Sequence, residues 1–328
     1  MSGRPLLELD GLTTHYVSAR GTRVVPAVDD VSLTLDAGET LGIVGESGSG
    51  KTTLALTILR LLPPAARIIR GAIRFAGEDL VTKSAGEMRR IRGKRIAMIL
   101  QDPMVSLNPL FTIGDQVAEP IRVHEGATRD SAWTRARDLL KAVKISAPET
   151  RVGEYPHQMS GGMRQRIVGA IAMSCDPQLL IADEPTTSLD VTIQLQYLNL
   201  LREIQRSHGL ALIFITHNLG IVAKMCDRIA VMYAGRLVEG GSVHTIFDAP
   251  AHPYTQALLE SIPRMGDPDR RLTAIEGQPP DLADPPAGCA FHPRCPKVMD
   301  RCRVEAPPAF AVAKDQTARC WLAAPNGR

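Results

Sequence analysis

No run in this sequence approaches the ~18 consecutive apolar residues that a membrane-spanning helix requires. The amino terminus, Met-Ser-Gly-Arg-Pro-Leu-Leu-Glu, has no apolar signal core either, so the expectation is a cytosolic chain that meets a membrane only through a partner. Charge of one sign is not in excess. The formal net charge is +3 and the basic residues are dispersed, which argues against a nucleic-acid partner. Cysteine is scarce before the tail: Cys175 and Cys226 are isolated, and the other four, Cys289, Cys295, Cys302 and Cys320, fall in the last forty residues. Their C-x5-C-x6-C-x17-C spacing lacks the close C-x2-C pairs usual in zinc knuckles. Disulfides are not expected in a reducing compartment. What remains is 328 residues, 44% hydrophobic, enough for one large domain or a main domain with an appendage.

The chain is organised around Ile43 to Thr53. Gly45, Gly50, Lys51 and Thr52 fit G-x-x-x-x-G-K-[ST], between an apolar strand pattern at Leu41 to Val44 and a helical pattern from Lys51 to Leu62. Glycines let consecutive backbone N–H groups converge on an anion, and the helix that follows adds free donors and the positive end of its dipole. Lys51 supplies a charge for terminal phosphates, and Thr52 a hydroxyl for magnesium. Glu46, Ser47, Gly48, Ser49 and Thr53 complete this phosphate-binding loop.

Upstream, Leu6 to Val17 and Val24 to Leu35 alternate apolar with polar residues and read as antiparallel strands. Tyr16, in the first, is a candidate to stack on a purine, or simply a tyrosine on a sheet surface. Pro63-Pro64 stops the first helix, and strand character resumes from Gly71 to Ala76. The strand Ile96 to Leu100 delivers Gln101, whose amide oxygen suits magnesium or an attacking water. Residues 113 to 145 read as an amphipathic helical insertion.

Ser160-Gly161-Gly162, before a helix expected from Met163 to Met173, offers a second surface of bare N–H groups and a hydroxyl to an anion. The apolar run from Leu179 ends in Asp183 and Glu184. Adjacent acids closing a buried strand call for a cation: Asp183 to hold magnesium, Glu184 to orient and deprotonate water. Thr187-Ser188-Leu189-Asp190 is a turn that opens a helix from Val191 to Ser207. The strand Leu210 to Thr216 brings His217 to a strand end, where open parallel sheets bind ligands, and a γ-phosphate contact is expected there. A hairpin at Ala234-Gly235 is expected to end the main domain.

In order and interval these residues resemble the ATP-binding subunits of ABC transporters over about residues 5 to 245. Gly45 to Thr52 matches Walker A, Gln101 the Q-loop, Ser160 to Gly162 the signature, Asp183-Glu184 Walker B, Ser188 to Asp190 the D-loop and His217 the switch histidine. Met163 departs from the glutamine found in many members. The resemblance implies an α/β P-loop NTPase of the ABC ATPase type, with an antiparallel β subdomain and a helical subdomain at about 102–175. Residues 1–245 then form the nucleotide-binding domain and 246–328 a cysteine-containing C-terminal extension. It also implies ATP and Mg2+ as ligands, Thr52, Gln101 and Asp183 at the metal, and Glu184, His217 and Gln101 in catalysis. Two such subunits would dimerise head to tail, each signature covering the other's nucleotide.

Gln101-Asp-Pro-Met-Val-Ser-Leu-Asn-Pro, Met159-Ser-Gly-Gly-Met-Arg-Gln-Arg, His252-Pro-Tyr-Thr and Gly288-Cys-Ala-Phe-His-Pro-Arg-Cys-Pro look like the oligopeptide/dipeptide branch, which includes nickel and glutathione importers. The implied partners are a second ATPase subunit, copy or paralogue, two membrane permease subunits and an extracytoplasmic binding protein, at the cytoplasmic face of the inner membrane. The alternatives are nickel or glutathione import, a soluble ABC ATPase acting on nucleic acid or ribosomes, or a redox-gated regulator. Proline pairs at 279–280, 285–286 and 307–308 make the tail irregular, after a short helix at Thr255 to Ser261. Its four cysteines can hold an iron-sulfur cluster or zinc, or stay unligated, and His292 keeps a mixed zinc site open. In related importers the pattern is associated with an iron-sulfur cluster, and [4Fe-4S] is the expectation here.

Overall fold

The computed structural model describes residues 4–102, 106–187, 189–262 and 274–325. Ser188 of the expected D-loop and residues 103–105 after Gln101 lie outside them. Two compact units are present: residues 1–35, 40–81 and 214–328, and residues 36–39 and 82–213. No described helix is long and apolar enough to cross a membrane.

In the first unit β1 (Leu7–Val17) and β2 (Val24–Leu35) pair antiparallel, as their alternation predicts. With β4 (Ala66–Phe75) and β5 (Glu78–Asp79) they form a sheet ordered β2-β1-β4-β5. β4 starts well before the expected Gly71, which lies inside it at φ 91°, where the β1–β4 register shifts. A Cβ there would stand 2.6 Å from the carbonyl oxygens of Asp10 and Gly11, so the bulge needs glycine. Helix α1 (Lys51–Ile58) stops short of Leu62 because Arg60 turns to φ 51° and donates through Nη1 to Leu80 O at 2.9 Å. The chain is therefore out of the helix before the prolines arrive.

β3 (Thr40–Val44) is wholly buried and runs parallel to β9 (Arg228–Tyr233), which pairs antiparallel with β10 (Arg236–Ser242). The hairpin at Ala234-Gly235 is thus present, yet pairing continues past it. β12 (Gln316–Ala318) adds to β10 through Glu239↔Ala318 and Gly240↔Thr317, and β11 (Phe310–Ala313) adds to β12. Tyr233, Tyr254 and Phe291 are buried in one aromatic cluster, with ring centroids 4.5 to 5.3 Å apart. The irregular tail is therefore held by strand pairing and by rings it inserts into the core beside Val231, Val238 and Ile246.

The second unit holds β6 (Ile96–Ile99), parallel to β7 (Leu179–Asp183), and most of the helices. The insertion expected from 113 to 145 is two helices, Ile113–Glu125 and Arg129–Ala142. Gly126 ends the first at φ 68°, and the Thr128 hydroxyl accepts from Ser131 N–H to start the second. Helix α2 (Ala85–Ile91) was not expected, although Ser84 and Glu87 spell the capping box that starts it. β8 (Ala211–Thr216), six buried residues, carries the chain out of the second unit and back into the first.

Candidate active site

The loop expected to bind phosphate leaves β3 at Gly45 and enters α1 at Lys51. Gly45 has φ 154° and Gly50 φ 102°. A Cβ on Gly45 would lie 2.1 Å from Met232 O, and one on Gly50 2.1 Å from Ala27 O, so the backbone is pressed against its neighbours and only glycine fits. Ser49 O accepts from Gly235 N–H at 3.0 Å, tying the loop to the β9–β10 turn. The Lys51 ammonium donates to Gly45 O and to Glu46 O, both at 2.8 Å, and lies 3.4 Å from Ser49 Oγ. It is buried under its own loop, while Ser47, Gly48 and Thr52 are exposed. Tyr16 is half-buried, its hydroxyl 3.5 Å from Thr53 Oγ1, so it stands at the start of α1. His217 follows the last residue of β8 and is exposed. Asn218, next to it, caps helix Leu219–Met225 by accepting from Gly220 and Ile221 N–H.

In the second unit β7 delivers Asp183, 1% exposed, and Glu184, which sits at φ 45°. A non-glycine residue held in the left-handed region carries about 1–3 kcal/mol of backbone strain, a common feature where geometry serves chemistry. Gln101 Nε2 donates to Glu184 Oε2 at 3.1 Å. Thr187, absent from the expected site, donates its hydroxyl to the same Oε2 at 3.0 Å. Two donors thus fix one carboxylate oxygen. Sequence proximity, three residues on in the turn after the acids, was the only signal for Thr187.

The helix Gly161–Met173 begins two residues earlier than expected, with Ser160 as its cap: Ser160 Oγ accepts from Met163 N–H at 3.3 Å. Gly162 also has a packing reason, since a Cβ there would stand 2.7 Å from Ile193 Cγ2 on helix Val191–His208. Asp190 caps that helix, accepting from Ile193 N–H at 3.0 Å. Ser160, Gly161, Gly162 and Asp190 line one open cavity of about 450 Å³ with Arg166 and Lys144. The residues expected to act as signature and D-loop are thereby brought together, with two cations beside them.

In the tail, Cys289, Cys295, Cys302 and Cys320 form no disulfide among the described residues. Burial pushes the Cys289 and Cys295 thiols up, and Cys302 adds to both. The Cys320 thiol is pushed up to about 11, first by burial and then by the other three. Cys302 therefore lies near enough to act on each of the other three. Even so, no three His, Cys, Asp or Glu side chains among the described residues are placed to hold a single metal ion. His292 turns its Nδ1 to Cys289 O at 3.0 Å.

The ABC transporter family profile matches residues 28–187, and a profile for the oligopeptide/dipeptide transporter C-terminal region matches residues 238–302. A peptide import ATP-binding protein of Brucella melitensis is 47% identical to this chain, covering 98% of each. On these matches, and on a fold of mixed sheets and helices built around the glycine loop, the chain belongs to the ABC transporter family as an ATP-binding member. Within that family it is similar to the dipeptide transport ATP-binding protein DppD of Escherichia coli, 47% identical over 96% of each chain. The oligopeptide transport protein OppD of Bacillus subtilis is 48% identical over 98% of this chain and 90% of its own. Among solved structures, a dimeric ATP-binding cassette in a post-hydrolysis state with ADP and Pi covers 72% of this chain at 26% identity and TM-score 0.65.

Proposed function

We propose that this chain is the ATP-hydrolysing subunit that energises import of di- or oligopeptides through an ABC transporter. The observation that carries ATP use is the glycine cradle at Gly45 and Gly50, where any side chain would collide with backbone, closed by Lys51. The cargo class rests on likeness to DppD and OppD over nearly the whole length, tail included. Lys51 and the loop from Gly45 to Thr53 hold the phosphates, with Tyr16 on the base. Thr52, Gln101 and Asp183 would hold magnesium, whose charge would offset that of the phosphates when bound. Glu184, steadied by Gln101 and Thr187, takes the proton of the attacking water. His217 contacts the γ-phosphate. Ser160, Gly161 and Gly162, with Asp190, cover the nucleotide of a second ATPase subunit, so that two chains pair head to tail around ATP. Residues 1–245 form the nucleotide-binding domain and 246–328 its extension, and the pair works at the cytoplasmic face beneath two permease subunits fed by a binding protein.

For the tail, Cys289 N–H donates to Cys302 O at 2.8 Å and Cys289 and Cys295 pack on one core cluster, which supports one shared group, and the C-x5-C-x6-C-x17-C spacing lacks the close pairs of zinc knuckles. Cys289, Cys295, Cys302 and Cys320 would hold a [4Fe-4S] group through their thiolates. Iron and sulfide analysis of anaerobically purified protein tests this; stoichiometric zinc without iron overturns it.

The function is tested by uptake in cells carrying Glu184→Gln, with labelled di- and oligopeptides, nickel and glutathione compared. Peptide uptake should fall while the purified variant still binds ATP without turnover. Hydrolysis at the wild-type rate removes Glu184 from its role, and loss of nickel or glutathione uptake alone changes the cargo.

A further inference from the structure

Glu46 is an anomaly in an anion site: a carboxylate on the second residue of the phosphate loop, with its own carbonyl 2.8 Å from the Lys51 ammonium. Unpaired, it would repel the phosphates that the loop serves. Its partner comes from far along the chain. Arg294 donates through Nη1 to Glu46 Oε2 at 2.7 Å and through Nη2 to Oε1 at 3.0 Å, a two-pronged fork. The guanidinium side chain is only 4% exposed, against 27% for Glu46. It also donates to Tyr233 Oη, Glu276 O and Ile275 O, so its position is set on several sides. At the other end of the same residue, Glu46 N–H donates to the Tyr254 hydroxyl at 2.9 Å.

The charge arrangement follows from these contacts. Arg294 stands immediately before Cys295, in the one-turn segment His292–Arg294 that packs through Phe291 into the aromatic cluster. The cysteine-bearing tail thus carries a cation into the phosphate loop. We infer that Arg294 is a positioning residue for nucleotide binding: it neutralises and orients Glu46, and so keeps the loop receptive to the phosphates of ATP. This rests on the proposed use of ATP by the loop, and it makes the tail part of the nucleotide site. A strap with a purely mechanical role would need both partners equally. A neutralising role needs Arg294 only while Glu46 is charged.

The full-length chain and its variants can separate these by equilibrium binding of ATP in EDTA, which prevents turnover, with thermal melting of each variant alongside. Arg294→Gln should bind ATP about tenfold more weakly, the order expected for one uncompensated charge facing another across roughly 10 Å at an effective dielectric near 20. Glu46→Gln should bind about threefold more tightly, because it leaves the arginine charge in place. The double variant should recover to within about threefold of wild type. Arg294→Lys, which keeps the charge and loses the fork, should stay within about threefold as well. Unchanged affinity in Arg294→Gln, or a double variant as weak as Arg294→Gln, overturns the inference. Should Arg294→Gln not fold, Glu46→Gln still decides, since weaker binding there contradicts neutralisation. Wild-type protein that does not bind ATP would instead sink the ATPase reading itself.

Discussion

Acid should unfold this protein partly through His252. The ring is 1% exposed beneath the aromatic cluster, where Nδ1 accepts from Tyr254 N–H at 3.0 Å and so caps helix Pro253–Glu260. Burial pulls its pKa down from 6.5 to about 4. Because the folded value lies below the unfolded one, the unfolded chain takes up the proton first. Stability is complete above pH 6.5 and is lost as pH falls toward 4. A displacement of this size corresponds to about 3 kcal/mol when the transition is complete, and about 2 kcal/mol of it is lost by pH 5. Protonation also removes the lone pair that caps the helix, so charge and cap fail together. Glu239, which accepts the backbone N–H of His252 at 2.9 Å, binds the chain there and not the ring. The assay is the denaturant midpoint of wild type and His252→Asn at pH 7.5 and pH 5. Asparagine keeps a capping acceptor and does not titrate. Wild type should lose about 2 kcal/mol more than the variant between those pH values. Equal losses in both proteins would show that His252 is not buried neutral, and the packing of the tail against Tyr254 would be in error with it.

Gly50→Ala should abolish ATP binding and lower stability by about 1–3 kcal/mol, because a Cβ would lie 2.1 Å from Ala27 O at φ 102°; normal affinity by calorimetry would refute the cradle. Phe291→Ala, at a ring 1% exposed, should destabilise by about 3–5 kcal/mol in denaturant and speed labelling of Cys289 and Cys295, which pack on the same cluster. Unaltered thiol reactivity would mean that the tail closes without this ring. Ser84→Ala removes the capping box of α2, in which Ser84 Oγ accepts from Glu87 N–H at 3.3 Å, and should cost about 1 kcal/mol with no effect on ATP turnover. A fall in turnover would give that helix a role beyond stability.

Local sequence specifies the features that depend on neighbours within a few positions. Glycine at 45 and 50, lysine at 51 and the apolar runs before Gly45 and Asp183 are local facts, and a strand's period of two or a glycine's backbone freedom needs no distant partner to be read. The resemblance to ABC transporter ATPases followed from the order of such local motifs, and the likeness to DppD and OppD bears it out. Helix ends were harder, because α1 stops where Arg60 finds Leu80 O, a bond that propensity does not contain. The capping box at Ser84 is by contrast a local signal, Glu87 standing three residues on. Long-range packing sets β12 beside β10, makes Gly162 the room for Ile193, and has Thr187 share Glu184 with Gln101. The pairing of Glu46 with Arg294 joins residues 248 positions apart. Nothing in either local stretch specifies it: a loop carboxylate and a tail arginine acquire their meaning when folding buries the arginine, half-buries the carboxylate and leaves each as the other's counter-charge.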